Sequence, residues 1–421
     1  HKFGHKALPF PLYLAYASAV LKKEGFETYP IDAVEREIGI YKFVEELKEI
    51  NPKIVFLEIS APSLNYDLET SALIKQKLPN TLLVLCGTHV AYAHTFLIGN
   101  YSFIDACIRG EFEYAMKDIC LAVSERKSLK GILGITYREK GKIITNSARP
   151  YIDNIDELPF PDRQSFDIMN YVRKGYSGKR PALMIATRGC PFQCSFCLWT
   201  QTMYGHKYRQ RSAKSVVDEI EYLITKHGVD EIDFDDDTFA LSKDYIKTFC
   251  NEIINRNIKI RWRCNGRVNS VDYEMAKLMK EAGCTIIFYG FESSSEKILK
   301  SIKKHATKQQ MIDAVRATQK AGIVAAGSFI LGLPDEDNET IRQTIKFAKQ
   351  LRSDWLQFVL AAPYPGTEFY SQVEKEGLLE IDSLADLDGS RGPIIRTRHL
   401  TKKQLAGWQR KAYISYYSSP R

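Results

Sequence analysis

The sequence has no long hydrophobic run and no recognisable leader. It contains no stretch of about 18 consecutive apolar residues, the length at which a helix can cross a bilayer. Residues 1–10 lack both the basic-then-apolar layout of a signal peptide and its small-residue cleavage site. We therefore expect no membrane span and a cytoplasmic protein.

Blocks of like charge are also missing. The formal net charge is +8, but Lys and Arg alternate with Asp and Glu along segments such as 42–53. Such interleaving is typical of a solvated helix face, whereas nucleic-acid-binding proteins concentrate basic residues on one face or stripe. We expect no nucleic-acid partner.

A disulfide framework is not expected either. The nine cysteines are odd in number and lie in a chain of 421 residues without a leader, so reduced thiols are favoured and metal ligation has to be considered. Hydrophobic residues make up 44% and charged residues 26%, as in ordinary globular proteins. This length predicts two or three domains, since one domain usually has about 100–200 residues.

Residues 1–125 alternate between helical and strand patterns. Helices are predicted at 12–24, 41–50 and 67–77, and strands at 28–31, 54–59, 82–85 and 106–108. This order predicts a doubly wound, Rossmann-like α/β domain, which binds ligands beyond the carboxyl ends of its strands. Residues 126–178 are predicted to be a linker that contains a hairpin at 132–145 and a proline-rich stretch at 158–161.

A second series of strands and helices occupies residues 179–385. Strands are predicted near 182–187, 231–235, 259–264, 285–291, 323–331 and 355–360, and helices include 213–226, 243–256 and 308–321. Six βα units predict a partial (β/α)6 version of the TIM barrel, with its chemistry at the C-terminal strand ends. Residues 386–421 are predicted to be a helical extension whose aromatic residues pack into the core: Trp408, Tyr413, Tyr416 and Tyr417.

Three cysteines follow the first strand of this barrel on one short loop. Cys190, Cys194 and Cys197 have the spacing C-x3-C-x2-C. Three thiolates can hold three irons of a four-iron, four-sulfur cluster and leave the fourth iron open, whereas a structural zinc site needs four ligands. The isolated cysteines of the barrel segment fit buried small hydrophobic residues better than ligands: Cys250, Cys264 and Cys284.

The cysteine segment resembles the C-x3-C-aromatic-C signature of the radical S-adenosylmethionine (SAM) superfamily, with Phe196 at the aromatic position. The resemblance implies that the open iron chelates the amino and carboxylate groups of SAM. Electron transfer to the sulfonium then releases methionine and a 5'-deoxyadenosyl radical.

Later strand ends also resemble this family, in order along the chain. They include 235–239, 263–267, the G-x-E-S-like segment 289–293, 327–334 and 363–367. The resemblance implies that Glu292 accepts hydrogen bonds from SAM, although a carboxylate there is also suited to capping the next helix. The SAM-binding residues expected from it are Phe196, Asp236, Arg267, Gly290, Glu292, Ser328, Ile330 and Pro363. Beyond the cysteines, Tyr204, His206 and Arg211 suit either a ligand contact or a solvated loop.

The first domain resembles the cobalamin-binding domain of B12-dependent radical SAM enzymes. The likeness lies in segments 9–16, 60–62, 86–89 and 109–113, where small and hydroxyl residues admit the nucleotide tail of cobalamin. The cobalamin-binding residues that it implies are Leu12, Ser60, Ala61, Gly87, Thr88, His89, Gly110 and Glu111.

Two features depart from that family. No D-x-H-x-x-G sequence occurs, so histidine ligation of cobalt is not expected, and His89 is better interpreted as a tail contact or a surface group. Relatives also open with a buried strand ending in Asn-Pro-Pro, whose counterpart is not found here. We expect either a missing first segment or a degenerate first domain.

These likenesses predict a B12-dependent radical SAM methyltransferase that modifies an unactivated carbon or phosphorus centre through methylcobalamin. Its expected cofactors are a 4Fe-4S cluster, SAM and cobalamin. Its expected partners are a small-molecule substrate and a flavodoxin- or ferredoxin-type reductant. Cyclisation or ring contraction without methylation, and non-catalytic cofactor carriage, stay open as alternatives, and no catalytic acid or base is assigned.

Overall fold

The computed structural model describes residues 8–166, 168–171, 180–388 and 392–418. The chain divides into two compact units. The first unit comprises His1–Gly175 and Leu198–Gly205, and the second comprises Tyr176–Cys197 and His206–Arg421. The domain boundaries predicted at 125, 178 and 385 stay predictions.

The first unit is built around a five-stranded sheet in the order β1-β2-β3-β4-β5. β1, β2 and β3 are parallel, with Ile54 opposite Leu82 and Val84 opposite Ala106, and β4 and β5 continue the sheet as an antiparallel hairpin. Its strands are β1 (Ile54–Glu58), β2 (Leu82–Cys86), β3 (Ala106–Ile108), β4 (Ile135–Glu139) and β5 (Lys142–Thr145). Its helices are α1 (Leu12–Lys23), α2 (Ile40–Ile50), α3 (Leu64–Lys77), α4 (Thr88–Asn100) and α5 (Glu113–Ser124).

One predicted element of this unit is wrong. Residues 28–31 form no strand, and β1 lies at the edge of the sheet. A strand needs a neighbouring strand to satisfy its backbone N–H and C=O groups, and among the described residues none pairs with 28–31. The other predicted elements are confirmed, and the hairpin extends the sheet instead of standing apart from it.

The second unit contains a six-stranded, wholly parallel sheet in the order β13-β12-β11-β10-β9-β6. The outer strands, β13 and β6, do not pair with each other, so the sheet is open and confirms the predicted partial barrel. The strands of this unit are β6 (Pro181–Met184), β7 (Thr187–Arg188), β8 (Arg209–Gln210), β9 (Glu231–Phe234), β10 (Arg261–Gly266), β11 (Cys284–Glu292), β12 (Val324–Leu331) and β13 (Trp355–Leu360). Its helices are α6 (Ala213–His227), α7 (Lys243–Asn255), α8 (Tyr273–Glu281), α9 (Glu296–Ser301), α10 (Lys308–Lys320), α11 (Asn338–Leu351), α12 (Glu368–Lys375) and α13 (Lys402–Tyr417).

Alternation along these strands separates an apolar face from a polar one. On the helix-facing side, Phe329 packs against Phe291 and Phe358 on the neighbouring strands, with ring centroids 5.3 and 6.1 Å away, and against Phe347 of α11. The opposite face carries polar groups such as the ion pair of Arg263 with Asp233, at 2.8 Å. The sheet therefore turns a dry face to its helices and a polar face to its concave side.

The three isolated cysteines of this unit are buried, as predicted. Cys250 lies in α7, Cys264 in β10 and Cys284 at the start of β11, and all are free thiols. They fill the layer between sheet and helices, where a small apolar side chain is needed.

Helix α13 covers the open edge at β13 through hydrogen bonds. The Tyr417 hydroxyl accepts from the Leu356 N–H at 3.1 Å and donates to the Leu356 carbonyl at 2.8 Å, and the Tyr413 hydroxyl accepts from the Phe358 N–H at 3.2 Å. An unprotected edge strand would invite further pairing, so these tyrosines complete the sheet. The prediction that the tail aromatics are core residues is right for the buried Tyr416, but Tyr413 and Tyr417 are 36% and 45% exposed.

Among the described residues, no helix has both the length and the apolar character needed to cross a membrane.

Replacing Tyr417 with Phe should open the sheet edge locally. The change removes both hydrogen bonds to Leu356, worth about 1–2 kcal/mol together, so exchange of the Leu356 amide should be roughly 5–30 times faster. Hydrogen–deuterium exchange of peptides spanning 355–358 measures this. The matched variant Tyr413→Phe should deprotect Phe358 instead, and equal protection of Leu356 in the wild type and in Tyr417→Phe would contradict the assignment.

Candidate active site

The cysteine loop follows β6 and β7 at the C-terminal edge of the parallel sheet. Cys190 and Cys194 are buried and Cys197 is partly exposed, and none of the three is in a disulfide. Within the described parts of the chain, no three His, Cys, Asp or Glu side chains are gathered closely enough to share a metal ion. The structure therefore places the three thiols on one loop without bringing them together around a common centre.

The donor set nevertheless suits an iron–sulfur cluster. Thiols must lose their protons to ligate metal. Burial raises the pKa of Cys190 to about 11, so a metal at this thiol competes with a proton. Three cysteines within eight residues, and no fourth cysteine on the loop, match a cluster with one open iron.

Asp236 fixes the start of the cysteine loop. It follows β9, is 1% exposed, and accepts hydrogen bonds from the N–H groups of Ala186 and Thr187 and, at 2.6 Å, from the Thr187 hydroxyl. Burial raises its pKa to about 7. These bonds give Asp236 a part in holding the loop, and its predicted contact with SAM stays a prediction.

Arg267, just after β10, reaches the cysteine loop. Its guanidinium lies 3.5 Å from the centroid of the Phe192 ring, and Nη1 is 3.8 Å from the sulfur of Cys194. Nη2 donates to the carbonyl of Lys304 at 2.6 Å, while Nε is buried without a hydrogen-bond partner. An unsatisfied buried donor beside the cysteine loop is what an anionic ligand group would complete.

Glu292 ends β11 and is also held by Lys304. Its Oε1 lies 2.6 Å from Lys304 Nζ, and its backbone has a φ of 62°, in the left-handed region that non-glycine residues seldom adopt. Glu292 makes no cap for α9, and the side chain of Ser295, the N-cap residue of this helix, accepts no capping hydrogen bond either. The alternative of a simple helix cap is therefore wrong.

The remaining residues predicted to contact SAM lie at the same edge of the sheet but make fewer contacts with the residues described above. Gly290 of β11 is opposite Ser328 of β12, and Ile330 is buried two residues further along. Pro363 follows β13 and is buried, and Phe196 is partly exposed on the cysteine loop. Contacts therefore unite Cys194, Arg267 and Glu292, whereas Phe196 and Pro363 are placed by the topology alone.

The segment beyond the cysteines is mostly not a solvated loop. Arg211 is buried and pairs with Glu219, and Tyr204 is buried in the first unit. His206 is exposed, and its Nδ1 lies 3.2 Å from the Cys190 carbonyl and 3.0 Å from that of Phe192. Arg211 therefore has a structural partner, and His206 braces the cysteine loop.

In the first unit, the predicted cobalamin residues cluster after the parallel strands. Ser60 and Ala61 follow β1, Gly87, Thr88 and His89 join β2 to α4, and Gly110 and Glu111 join β3 to α5. Leu12 begins α1 with a buried side chain, and Glu111 already accepts a hydrogen bond from the Ile152 N–H at 2.7 Å.

Gly87 and His89 show how this edge is packed. A Cβ on Gly87 would lie 2.7 Å from the Ile59 carbonyl oxygen, so the glycine is required by the protein's own backbone. His89 is buried, which makes the surface-group alternative wrong. Burial lowers its pKa to about 4, and its Nδ1 has no hydrogen-bond partner, so a neutral imidazole is available to a polar ligand.

Two carboxyl groups at this edge were not predicted. Burial raises the pKa of Glu58 to about 7, assisted by the charges of Asp67 and Glu113, and burial raises that of Asp67 to about 6. A carboxyl group whose pKa is raised to about 7, such as that of Glu58, can donate as well as accept hydrogen bonds near neutral pH. No spacing in the sequence distinguishes them from surface acids.

Known proteins resemble this chain along nearly its whole length. The profile of the Radical SAM superfamily matches residues 184–348, and that of the B12 binding domain matches residues 6–120. The chain is 36% identical over 412 residues to an uncharacterised methyltransferase of Pyrococcus horikoshii, with 98% of this chain and 88% of the relative covered. It is 29% identical over 419 residues to the anaerobic magnesium-protoporphyrin IX monomethyl ester cyclase of Cereibacter sphaeroides, with 97% and 67% covered.

Two solved structures share the fold. The radical S-adenosylmethionine methyltransferase TsrM from Kitasatospora setae has a TM-score of 0.75 at 19% identity, over 96% of this chain and 81% of TsrM. The cobalamin-dependent S-adenosylmethionine radical enzyme OxsB has a TM-score of 0.79 at 18% identity, over 95% of this chain and 63% of OxsB.

Both predicted domains are thus confirmed, and with them the cofactor set of a 4Fe-4S cluster, SAM and cobalamin. Identity of 36% across 98% of the chain is sufficient to assign the family. The chain belongs to the radical SAM enzymes that carry a B12-binding domain.

Proposed function

We propose that this chain is a methyltransferase acting on an unactivated carbon or phosphorus centre of a small molecule. The observation that carries the proposal is its 36% identity, over 98% of its length, to a methyltransferase. The B12-binding domain ahead of the radical SAM domain supports it, because cobalamin is suited to carrying a methyl group between two reactions.

The cluster, when bound, would supply the electron that splits SAM into methionine and a 5'-deoxyadenosyl radical. Cobalamin would carry a methyl group taken from a second SAM. In this proposal the thiols of Cys190, Cys194 and Cys197 hold three irons. Arg267 and Glu292 then offer a cation and an anion to the carboxylate and ammonium of SAM. Opposite charges in a buried setting orient a zwitterion more firmly than either charge alone.

The other assigned residues shape the two sites. Gly290, Ser328 and Ile330 line the polar face of β11 and β12 where the adenosine is expected, and Phe196, Asp236 and Pro363 flank it. We assign cobalamin to the C-terminal strand ends of the first unit, where the buried His89 Nδ1 has no hydrogen-bond partner within the protein. The residues there are Leu12, Ser60, Ala61, Gly87, Thr88, His89, Gly110 and Glu111.

The proposed function also places the protein in a reducing compartment. None of the nine cysteines is in a disulfide, as expected for a protein of the cytoplasm. Reduction of an iron–sulfur cluster at low potential requires a donor, for which a flavodoxin- or ferredoxin-type protein is suited.

A cyclisation without methylation is the second candidate, favoured by the 29% identity to a cyclase over 97% of the chain. The mass of the product separates the two functions, since methylation adds one methylene unit and cyclisation adds none. Non-catalytic carriage of cofactors is opposed by the site itself, because a carrier has no need of the buried pair at Glu292.

The first test is the set of SAM-derived products. Anaerobically reconstituted protein with reductant, SAM and cobalamin should release both S-adenosylhomocysteine, from methyl donation, and 5'-deoxyadenosine, from radical formation. Chromatography with mass detection measures both. The variant Cys190→Ala/Cys194→Ala/Cys197→Ala should lose 5'-deoxyadenosine, and absence of S-adenosylhomocysteine from the wild type would rule out the methyltransferase.

The second test concerns Glu292. Replacing it with Gln, or with Ala, should leave the cluster in place and weaken SAM binding roughly 10- to 100-fold, as expected for loss of a charged hydrogen bond of about 1.5–3 kcal/mol. Calorimetry on reconstituted protein measures the affinity. Glu339→Gln, which breaks an exposed ion pair with Arg342 in α11, is the control and should bind SAM normally. Unchanged affinity in Glu292→Gln would remove the assignment.

A further inference from the structure

We propose that Lys304 is a positioning residue that sets Glu292 and Arg267 for SAM and couples both to the cysteine loop. The inference rests on the proposed function, since it takes these two residues as SAM contacts. Nothing in the sequence pattern points to Lys304, which follows another lysine shortly after the end of α9.

Lys304 lies in a tight turn with a fixed backbone. Its N–H donates to the Leu299 carbonyl at 2.9 Å, which ties it to the end of α9. The residues on either side, Lys303 and His305, have φ values of 55° and 49°. Two left-handed residues around one lysine hold its side chain in a direction that an ordinary helix end would not give.

Both ends of Lys304 are engaged by the candidate SAM residues. Its Nζ lies 2.6 Å from Glu292 Oε1, and its carbonyl accepts the hydrogen bond from Arg267 Nη2 at 2.6 Å. One residue thereby fixes the carboxylate and the guanidinium relative to each other. The Lys304 and Glu292 side chains are only 9% and 7% exposed, so solvent screens the pair weakly.

The same turn also holds the cysteine loop. The Ile302 carbonyl accepts from the Ser195 N–H at 3.1 Å, and the Cys194 sulfur lies 3.8 Å from the Lys303 carbonyl. Residues 302 and 303 therefore contact the cysteine loop, and residue 304 contacts Arg267 and Glu292. A shift of this turn would move the loop and both charged side chains together.

Gly290 leaves room for this ion pair. A Cβ at this position would lie 2.2 Å from Glu292 Oε1 and 2.9 Å from Lys304 Nζ. A larger side chain here would displace the charged ends of both side chains. The glycine assigned to SAM by resemblance has an immediate role in admitting the pair.

Positioning explains why a buried pair is kept. Removing two charges from water is costly, and buried ion pairs are weak sources of stability compared with apolar packing. An ion pair that orients Glu292 at the sheet edge has a use that an apolar pair would lack.

The competing hypothesis is that Lys304 only occupies the place of the SAM ammonium and is displaced when SAM binds. That hypothesis predicts that removing the lysine leaves SAM affinity unchanged or raises it.

The test uses the full chain, anaerobically reconstituted. Lys304→Met should lower SAM affinity by at least about tenfold, whereas Lys304→Arg, which keeps the charge, should stay within about threefold of the wild type. The double variant Lys304→Met/Glu292→Gln removes both charges and should bind SAM no more weakly than Glu292→Gln alone, because the two residues act as one unit.

Three readouts separate positioning from a folding defect. Iron content should be equal in all variants, and the thermal unfolding temperature of the double variant should match that of the wild type. The change that SAM causes in the electron paramagnetic resonance spectrum of the reduced cluster should need at least about tenfold more SAM in Lys304→Met than in the wild type. Equal or tighter SAM binding by Lys304→Met overturns the proposal.

The proposed function is judged separately in the same series. If the wild type binds SAM but methylates nothing, the methyltransferase fails while the role of Lys304 is still decided by the variants. If the wild type with its full iron content does not bind SAM, both are wrong.

Discussion

The parallel order of the six strands in the second unit is the constraint on which the candidate site depends. Because all six run the same way, the loops after β6, β9, β10 and β11 leave the sheet at one edge. The bonds of Asp236 to residues 186 and 187, and of Arg267 to Lys304, then link these loops to each other. The site is therefore a network of buried side chains that hold backbone groups of neighbouring loops.

An open sheet also has edge strands whose backbone groups need hydrogen-bond partners from outside the sheet. A barrel that does not close leaves β13 with unpaired N–H and C=O groups, and α13 satisfies them with tyrosine hydroxyls. The first unit solves the same problem differently, with the antiparallel hairpin of β4 and β5 continuing its sheet beyond β3.

Much of this could be predicted from the sequence where the pattern is periodic or the spacing is chemical. The strands of the second unit follow from apolar runs, and the cysteine loop follows from three thiols spaced for one cluster. Residues 28–31 have a strand pattern but form no strand, because pairing depends on a neighbour that local pattern does not reveal. Lys304, the left-handed backbone of Glu292 and the raised pKa of Glu58 were beyond prediction, since each results from contacts between residues far apart in the chain or from burial.

Two glycines that the family resemblance predicts as cofactor contacts also have a structural reason within the protein itself. Gly87 and Gly290 were predicted as cofactor contacts, and both also lie close to other parts of the protein. Gly87 is required by the nearby Ile59 carbonyl, and Gly290 leaves room for the Glu292 carboxylate. The folded chain thus brings backbone or charged groups close together at two positions where the resemblance predicts ligand contacts.

In the proposed site one loop supplies all the protein ligands of a 4Fe-4S cluster, and iron analysis combined with Mössbauer spectroscopy can show whether it does. Reconstituted wild type should carry about four irons per chain. A variant with alanine at Cys190, Cys194 and Cys197 should carry none, and one with alanine at the buried Cys250, Cys264 and Cys284 should retain the wild-type content. Iron that persists without the loop cysteines, or that is lost with the buried ones, would contradict the account.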